Sequence, residues 1–240
     1  MRELERLRDE RFPSLPLDCG ERVAPGVVDV EDWRDWSRRD TTPDQLRIED
    51  YIDQFDLRDR SILHVGIGNS GLAERFARSA RLICGTTIMP AEVERAEGLG
   101  LPRYRASLHN KYRGGDDAPE GRFDFIVDNS MTGFCCCFTH LLAMLDFYSS
   151  SLAPGGQIVT DRVGLAWAVD PARPQWGFTF DDLAAVATLS GLTAYPIDSN
   201  IFVLAHEPPE RRRLRRRISH WARSMARKVQ RRLHRLLLGR

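Results

Sequence analysis

The sequence predicts an α/β fold. It should be a seven-stranded, mainly parallel sheet with helices on both faces, preceded by an N-terminal helical segment and followed by a basic C-terminal helix. Three observations carry this. Short apolar runs alternate with helix-like segments from residue 57 onward. The first run, 61–65, passes directly into a turn holding three glycines and then a helix. The last two runs, 193–197 and 201–205, are joined only by Asp198, Ser199 and Asn200, which predicts a hairpin and therefore one antiparallel strand.

Taken in order, residues 1–56 form a charged, helical extension. Residues 1–40 carry Pro13, Pro16 and Pro25 and the pair Trp33 and Trp36. They read as a segment that orders on contact, its indoles covering a sheet edge in preference to lidding a pocket. Thr42 before Pro43 reads as a helix cap and first helical residue. Leu46, Ile48, Tyr51, Ile52 and Phe55 give that helix one apolar face. Strand 61–65 enters the glycine turn, and Asn69 or Ser70 can cap the helix that follows. Residues 81–87 are the second strand, Pro90 opens a helix through Ala96, and 104–107 are the third strand. Residues 111–121 read as a polar, glycine-rich loop. Phe123-Asp124-Phe125-Ile126-Val127-Asp128 is the fourth strand. A helix over 138–152 stops at Ala153-Pro154-Gly155-Gly156, and 157–161 form the fifth strand. Thr179 and Asp182 make a capping-box variant for a helix through Leu189, which Gly191 closes.

The 240 residues and 42% apolar content suffice for one α/β domain with its own core, placed at 57–207. The charged start holds no apolar stretch typical of a signal peptide, and no apolar run is long enough to span a bilayer. Five cysteines, at 19, 84 and 135 to 137, make no disulfide framework, so a reduced, cytoplasmic compartment is expected. Adjacent side chains diverge on a helix and alternate on a strand. Cys135, Cys136 and Cys137 therefore read as small hydrophobes at a strand-to-helix junction, and no metal site is expected.

The net charge of +1 hides an asymmetry. Residues 210–240 hold thirteen basic residues and one acid, leaving 22 basic and 33 acidic side chains in the rest of the chain. All basic residues except Lys111 and Lys228 are arginines, a bias typical of GC-rich bacterial genomes. Within the tail, assigned to 208–240, Leu214, Ile218, Trp221, Met225, Val229, Leu233 and Leu236 recur at steps of three and four. That spacing predicts an amphipathic helix of up to about 45 Å. Three partners compete for it: an anionic membrane surface at the inner face, the acidic body or a second copy as a homodimer, and nucleic acid. The apolar stripe favours the membrane and disfavours nucleic acid.

Gly66-x-Gly68-x-x-Gly71 fits the phosphate-approach pattern of nucleotide-binding α/β units, in which Cβ-less residues allow a sharp turn beside the ligand. Together with Phe123 to Asp128 and Leu152-Ala153-Pro154-Gly155-Gly156-Gln157-Ile158-Val159, the turn resembles the class I S-adenosylmethionine (SAM)-dependent methyltransferases over about residues 57–206. The resemblance implies a Rossmann-like methyltransferase sheet with SAM as cofactor. Its methionine part would lie over Gly66 and Gly68, its ribose by the end of the second strand and its adenine by the end of the third.

In open α/β sheets ligands bind beyond the carboxyl ends of the strands. The expected cofactor-binding set is therefore His64, Gly66, Gly68, Asn69, Ser70, Thr87, Ile88, Ser107, Leu108 and Asp128. His64 and Thr87 stand where the family usually carries acids, and the acid usual after the third strand is also replaced. Each missing ionic hydrogen bond is worth about 1.5–3 kcal/mol. Asp128 is the leading candidate for a catalytic base or orienting group, against a solvated carboxylate capping the next helix; His109 and His140 are the alternatives. The resemblance implies a methyltransferase acting on a small molecule or a glycan or lipid precursor. The rivals are a catalytically inactive methyltransferase-like scaffold, favoured by His64 and Thr87, and an NAD(P)-binding oxidoreductase, disfavoured by the Pro-Gly-Gly stretch and the closing hairpin.

Overall fold

The apolar runs become seven strands: Ser61–Val65 (β1), Leu82–Thr87 (β2), Tyr104–Leu108 (β3), Phe123–Asp128 (β4), Leu152–Asp161 (β5), Thr193–Pro196 (β6) and Ile201–Ala205 (β7). The helices are Arg2–Arg11 (α1), Pro43–Ile52 (α2), Gly71–Phe76 (α3), Pro90–Gly98 (α4), Phe138–Ser151 (α5), Arg162–Leu165 (α6) and Phe180–Ala187 (α7). This computed structural model describes residues 2–26, 35–167 and 177–209. The chain divides into two compact units, Met1–Pro209 and Glu210–Arg240, and the described residues all belong to the first. The expected tail helix and Trp33 lie outside the described residues.

The strands form one sheet in the order β3-β2-β1-β4-β5-β7-β6. Neighbours among β1 to β5 are parallel, and β7 runs antiparallel to both β5 and β6. The expected sheet and its closing hairpin are thus both present. Strand residues alternate between two cores. Leu63, Ile126, Ile158 and Leu204 face one core, with Phe138, Leu141 and Tyr148 of α5 and Leu183 of α7. Ile62, Phe125, Val127, Val159 and Val203 face the other, with Ile48 and Ile52 of α2 and Leu72 and Phe76 of α3.

Two expectations about the fold need correction, and the helical N-terminal extension is ordered against the core. Residues 2–11 form α1, and Phe12 and Leu15 enter the first core, where the Phe12 ring stacks on Phe178 at 4.7 Å and Phe138 at 5.8 Å. Residues 153–156 do not simply end a helix. The pairing shifts from Phe123↔Leu152 to Phe125↔Gln157, so this stretch bulges within β5. Gly156 is required there, because a Cβ would lie 2.7 Å from the Phe123 carbonyl oxygen and 2.8 Å from that of Ala153. The supposed polar loop after β3 opens with a 3-10 turn, Lys111–Arg113, whose Tyr112 is buried in the core.

Helix α2 begins as its sequence predicts. The Thr42 hydroxyl accepts the Gln45 amide, Pro43 opens the first turn, and Ile48, Tyr51 and Ile52 are buried. Arg47 reaches the fully buried Asp161 through two bonds of 2.7 and 2.8 Å. That forked pair fixes α2 over the carboxyl end of β5, which holds residues 41–45 at the mouth of the crevice described next.

Candidate functional site

A cavity of about 350 Å³ opens at the carboxyl ends of β1, β2 and β4. Its floor is the glycine turn. Gly66 (φ +72°) and Gly68 (φ +50°) adopt the left-handed backbone that favours glycine, and a Cβ on Gly66 would meet nothing within 4 Å. The turn is tied to its neighbours by bonds from Gly66 N to Thr86 O and from Ser70 N to Ile67 O, both 2.8 Å. Asn69 provides the cap, its Oδ1 accepting the Gly71 amide at 2.9 Å. Its Nδ2 donates to the Arg39 carbonyl at 2.7 Å, stitching the N-terminal segment to the turn. Ser70 stands at the capping position but makes no such bond; its hydroxyl pairs with Tyr104 Oη at 2.9 Å.

The third glycine has a different role. A Cβ on Gly71 would sit 2.5 Å from Thr41 Oγ1, so glycine here admits the incoming segment rather than a ligand. The same segment brings Trp36 over the turn, its Cβ 3.4 Å from where a Gly68 Cβ would be. Trp36 lines the cavity, so it lids the pocket where edge-covering had been expected.

Beyond β2 the chemistry centres on Glu92, which the sequence reading missed. Its buried carboxylate accepts from Thr87 Oγ1 at 2.5 Å, Gly68 N at 3.2 Å and Trp36 N at 3.3 Å. Burial raises the Glu92 carboxyl above its ordinary value, and these three donors oppose the rise. The Thr87 hydroxyl also accepts the Met89 amide at 3.1 Å, so it is engaged on both sides. Glu92 was detectable as an acid in the first turn of the helix following β2.

At the end of β4, Asp128 is buried and not solvated, correcting one of its two expected settings. Lys111 Nζ lies 3.1 and 3.0 Å from its two oxygens and also bonds the Ser130 carbonyl. Tyr148 Oη donates to Asp128 at 2.8 Å. Burial lowers the Lys111 pKa and Asp128 pulls it back up, while Tyr148 is raised well above its ordinary value, chiefly by burial. The carboxylate is therefore already paired with protein donors.

Two histidines line the same cavity. Burial pushes His64 down to about 4, and His109 also falls to about 4 through burial and the nearby Arg113 charge. Both imidazoles are neutral at pH 7. His64 Nδ1, both ring nitrogens of His109 and Asn129 Oδ1 are buried without a protein partner. Unpaired buried polar atoms around one cavity fit a polar ligand that completes them. The far rim is apolar: Val163, Phe134 and Trp167, the last two with ring centroids 5.8 Å apart.

Of the expected cofactor set, His64, Gly66, Gly68, Asn69, Thr87, Ile88 and Asp128 line the cavity. Ser70, Ser107 and Leu108 do not. Ser70 is buried against Tyr104, while Ser107 and Leu108 are exposed on the edge strand β3. Past that strand the wall passes to His109, Asn110, Lys111 and Tyr112. His140 stands outside this cavity, beside Cys19, Cys136 and Cys137, so three cysteines and a histidine converge where the sequence suggested only small apolar side chains.

No family model and no curated protein matches the sequence. Solved structures do match the fold. The N-methyltransferase NodS of Bradyrhizobium japonicum, in complex with S-adenosyl-L-homocysteine, aligns with a TM-score of 0.53 at 17% identity, covering 72% of this chain and 92% of its own. A TehB-like SAM-dependent methyltransferase from Corynebacterium glutamicum aligns with a TM-score of 0.50 at 21% identity, over 65% of this chain and 85% of its own. A SAM-dependent methyltransferase from Aquifex aeolicus aligns with a TM-score of 0.50 at 12% identity, over 65% and 87%. The strand order with β7 antiparallel, the glycine turn below the crevice and these alignments agree: the chain has the Rossmann-like fold of the class I SAM-dependent methyltransferases.

Proposed function

We propose that the protein is a methyltransferase that binds SAM over the glycine turn and methylates a small molecule, or a glycan or lipid precursor, held at the apolar rim. The observation that carries this is one crevice with two chemically distinct ends. One end is the glycine turn, open at Gly66, with unpaired His64, Asn129 and His109 atoms nearby; the other is Val163, Phe134 and Trp167. Its volume lies within the range of small-molecule sites.

The residues fit the cofactor in outline. Gly66 admits its close approach, beside Gly68, which Trp36 covers. Glu92 supplies the buried carboxylate nearest the end of β2, while Ile88, His109 and Asn110 wall the region past β2 and β3. When bound, SAM supplies an electrophilic methyl group. The chain's task is to align an acceptor with it and, for an acceptor that must lose a proton, to receive that proton. Asp128 suits an orienting role, because Lys111 and Tyr148 already engage its oxygens. His109 suits hydrogen bonding to the cofactor more than proton transfer: both nitrogens lack a protein partner, and burial with the Arg113 charge holds its basicity low.

Calorimetric titration with SAM, S-adenosylhomocysteine and NAD tests the reading. Micromolar heat with the first two, abolished by Gly68→Arg and absent with NAD, is the expected result. Silence with all three from a folded sample would sink it. A second reading, a binding protein without turnover, is supported by the prior engagement of Thr87 and Glu92. Cofactor binding without methyl transfer to any acceptor in a broad screen would favour it.

We further propose that residues 208–240 are a separate contact segment that lies on an anionic membrane surface. The support is the sequence stripe from Leu214 to Leu236 among basic residues. No helix among the described residues is long and apolar enough to cross a membrane. Flotation with anionic vesicles, lost on deleting 208–240, tests this. No flotation of the full chain would refute it, and dimerisation through the tail would instead support docking on a second copy.

A further inference from the structure

Outside the crevice, four metal-ligating side chains converge at the start of α5. The ligand atoms of Cys19, Cys136, Cys137 and His140 all lie within 4.8 Å of one another. Cys19 Sγ is 3.7 Å from Cys136 Sγ and 3.5 Å from His140 Nδ1; Cys136 Sγ and Cys137 Sγ are 3.0 and 3.2 Å from the same nitrogen. A tetrahedral zinc with bonds of about 2.3 Å to sulfur and about 2.0–2.1 Å to nitrogen has edges of about 3.8 Å between sulfurs and about 3.6 Å from sulfur to nitrogen. These four separations are at or slightly inside that size, and the two remaining sulfur pairs lie within 4.8 Å. The 3.7 Å sulfur separation is far beyond the roughly 2.05 Å of a disulfide, and none of the five cysteines is disulfide-bonded. We propose that Cys19, Cys136, Cys137 and His140 form a structural zinc site.

The local backbone explains how neighbouring cysteines can share one ion. Cys137 is extended (φ −160°, ψ 165°) at the N-cap of α5, so the pair straddles a junction rather than belonging to one regular element. His140 follows one turn into the helix, three and four residues after the two cysteines, where it can return to the same side. Cys19 arrives from the N-terminal segment along a built cradle. Phe138 N donates to Pro16 O at 2.8 Å, and Thr139 N and Oγ1 donate to Leu17 O at 2.9 and 2.8 Å. Asp18 Oδ1 accepts Gly20 N at 2.8 Å, turning the chain just after Cys19. Cys135 is excluded, its thiol directed to the Cys137 carbonyl.

Three thiolates and an imidazole select a soft or borderline ion such as zinc over magnesium or calcium. Four protein ligands close the coordination shell, which is the arrangement of a structural rather than a catalytic ion. The ion would clamp the segment carrying Phe12 and Leu15 to the helix whose Phe138 those residues help to bury.

The test is metal analysis of the full chain, expressed with zinc and purified without chelator or metal-affinity resin. About one zinc per chain is expected. Cys19→Ser and Cys136→Ser should each reduce the content by more than about tenfold, and Cys84→Ala should leave it unchanged. Should the ligand variants fail to fold, cobalt titration of the demetallated wild-type chain decides instead. One equivalent should produce the visible bands of tetrahedral cobalt and thiolate charge transfer. Zinc-free protein without those bands overturns the proposal. So does zinc retained by both ligand variants, or a Cys19–Cys136 disulfide in freshly prepared protein.

Discussion

Lys111→Met removes the cation from the Asp128 pair and leaves a similarly sized apolar chain. The Asp128 side chain is 3% exposed and that of Lys111 12%. After the substitution the carboxylate keeps only the Tyr148 hydroxyl among the two side chains that now hold it, and the Ser130 carbonyl loses its ammonium donor. Breaking one side of a buried pair costs about 3–5 kcal/mol, because the remaining charge stays out of water. Against a total stability of about 5–15 kcal/mol, that is a large fraction. At a slope of about 2 kcal/mol per molar urea, the unfolding midpoint should fall by roughly 2 M. Urea unfolding followed by far-UV circular dichroism measures this, within a cycle that includes Asp128→Asn and the double variant. The double variant buries no unpaired charge at this site and should recover about 2 kcal/mol or more of the Lys111→Met loss. A Lys111→Met cost below about 1 kcal/mol, or a double variant no more stable than the single, would refute the argument that this pair acts as a buried ionic unit.

Three further perturbations test other parts of the structure. His64 has its ordinary value of 6.5 when unfolded and about 4 when folded. Its contribution is therefore fully present above pH 6.5 and is lost as pH falls toward 4, a difference worth about 3 kcal/mol. His64→Gln should flatten the stability profile over that window relative to wild type; parallel profiles would contradict the burial argument. Gly156→Ala places a methyl 2.7 Å from the Phe123 carbonyl oxygen and should cost about 1–3 kcal/mol in thermal or urea unfolding; a neutral outcome would remove the reason given for the β5 bulge. Leu15→Ala, at a fully buried side chain, should cost about 2–5 kcal/mol by the same measurement, whereas a dispensable N-terminal extension would show almost no loss.

The sheet was legible because its signals are local. Runs such as Ile62-Leu63-His64-Val65 and Phe125-Ile126-Val127 are apolar on both faces, as a covered parallel sheet requires, and glycines bound them. The α2 cap at Thr42 and Pro43, and the Thr179–Asp182 capping box, were legible for the same reason: donor and acceptor lie within one turn. The crevice floor followed from glycine spacing. Its walls did not, because they are made by distant partners. Glu92 accepts an amide 24 residues away at Gly68 and another 56 residues away at Trp36. Lys111 opened a stretch that read as a polar, glycine-rich loop, and its partner Asp128 lies 17 residues further along the chain.

For the cysteines the distance between sequence pattern and structure has a sharper cause. The argument that adjacent side chains diverge holds inside one helix or one strand, and Cys136 and Cys137 occupy neither. They sit where an extended chain turns into α5, and the partner that gives the cluster its fourth ligand lies 117 residues away, at Cys19. A long-range contact of this kind leaves no mark in the local sequence pattern; it joins Cys19 to the start of α5, whose first amides also hold residues 16–17. The attachment of the segment holding Phe12, Leu15 and Cys19 rests on Phe138 packing, the amides of Phe138 and Thr139, and the thiol–imidazole cluster together. The same N-terminal region continues through Trp36 and Arg39 to the glycine turn. Order at the crevice and attachment of the N-terminal region are thereby linked, which explains why residues that looked like an accessory extension supply both a core face and a wall of the crevice.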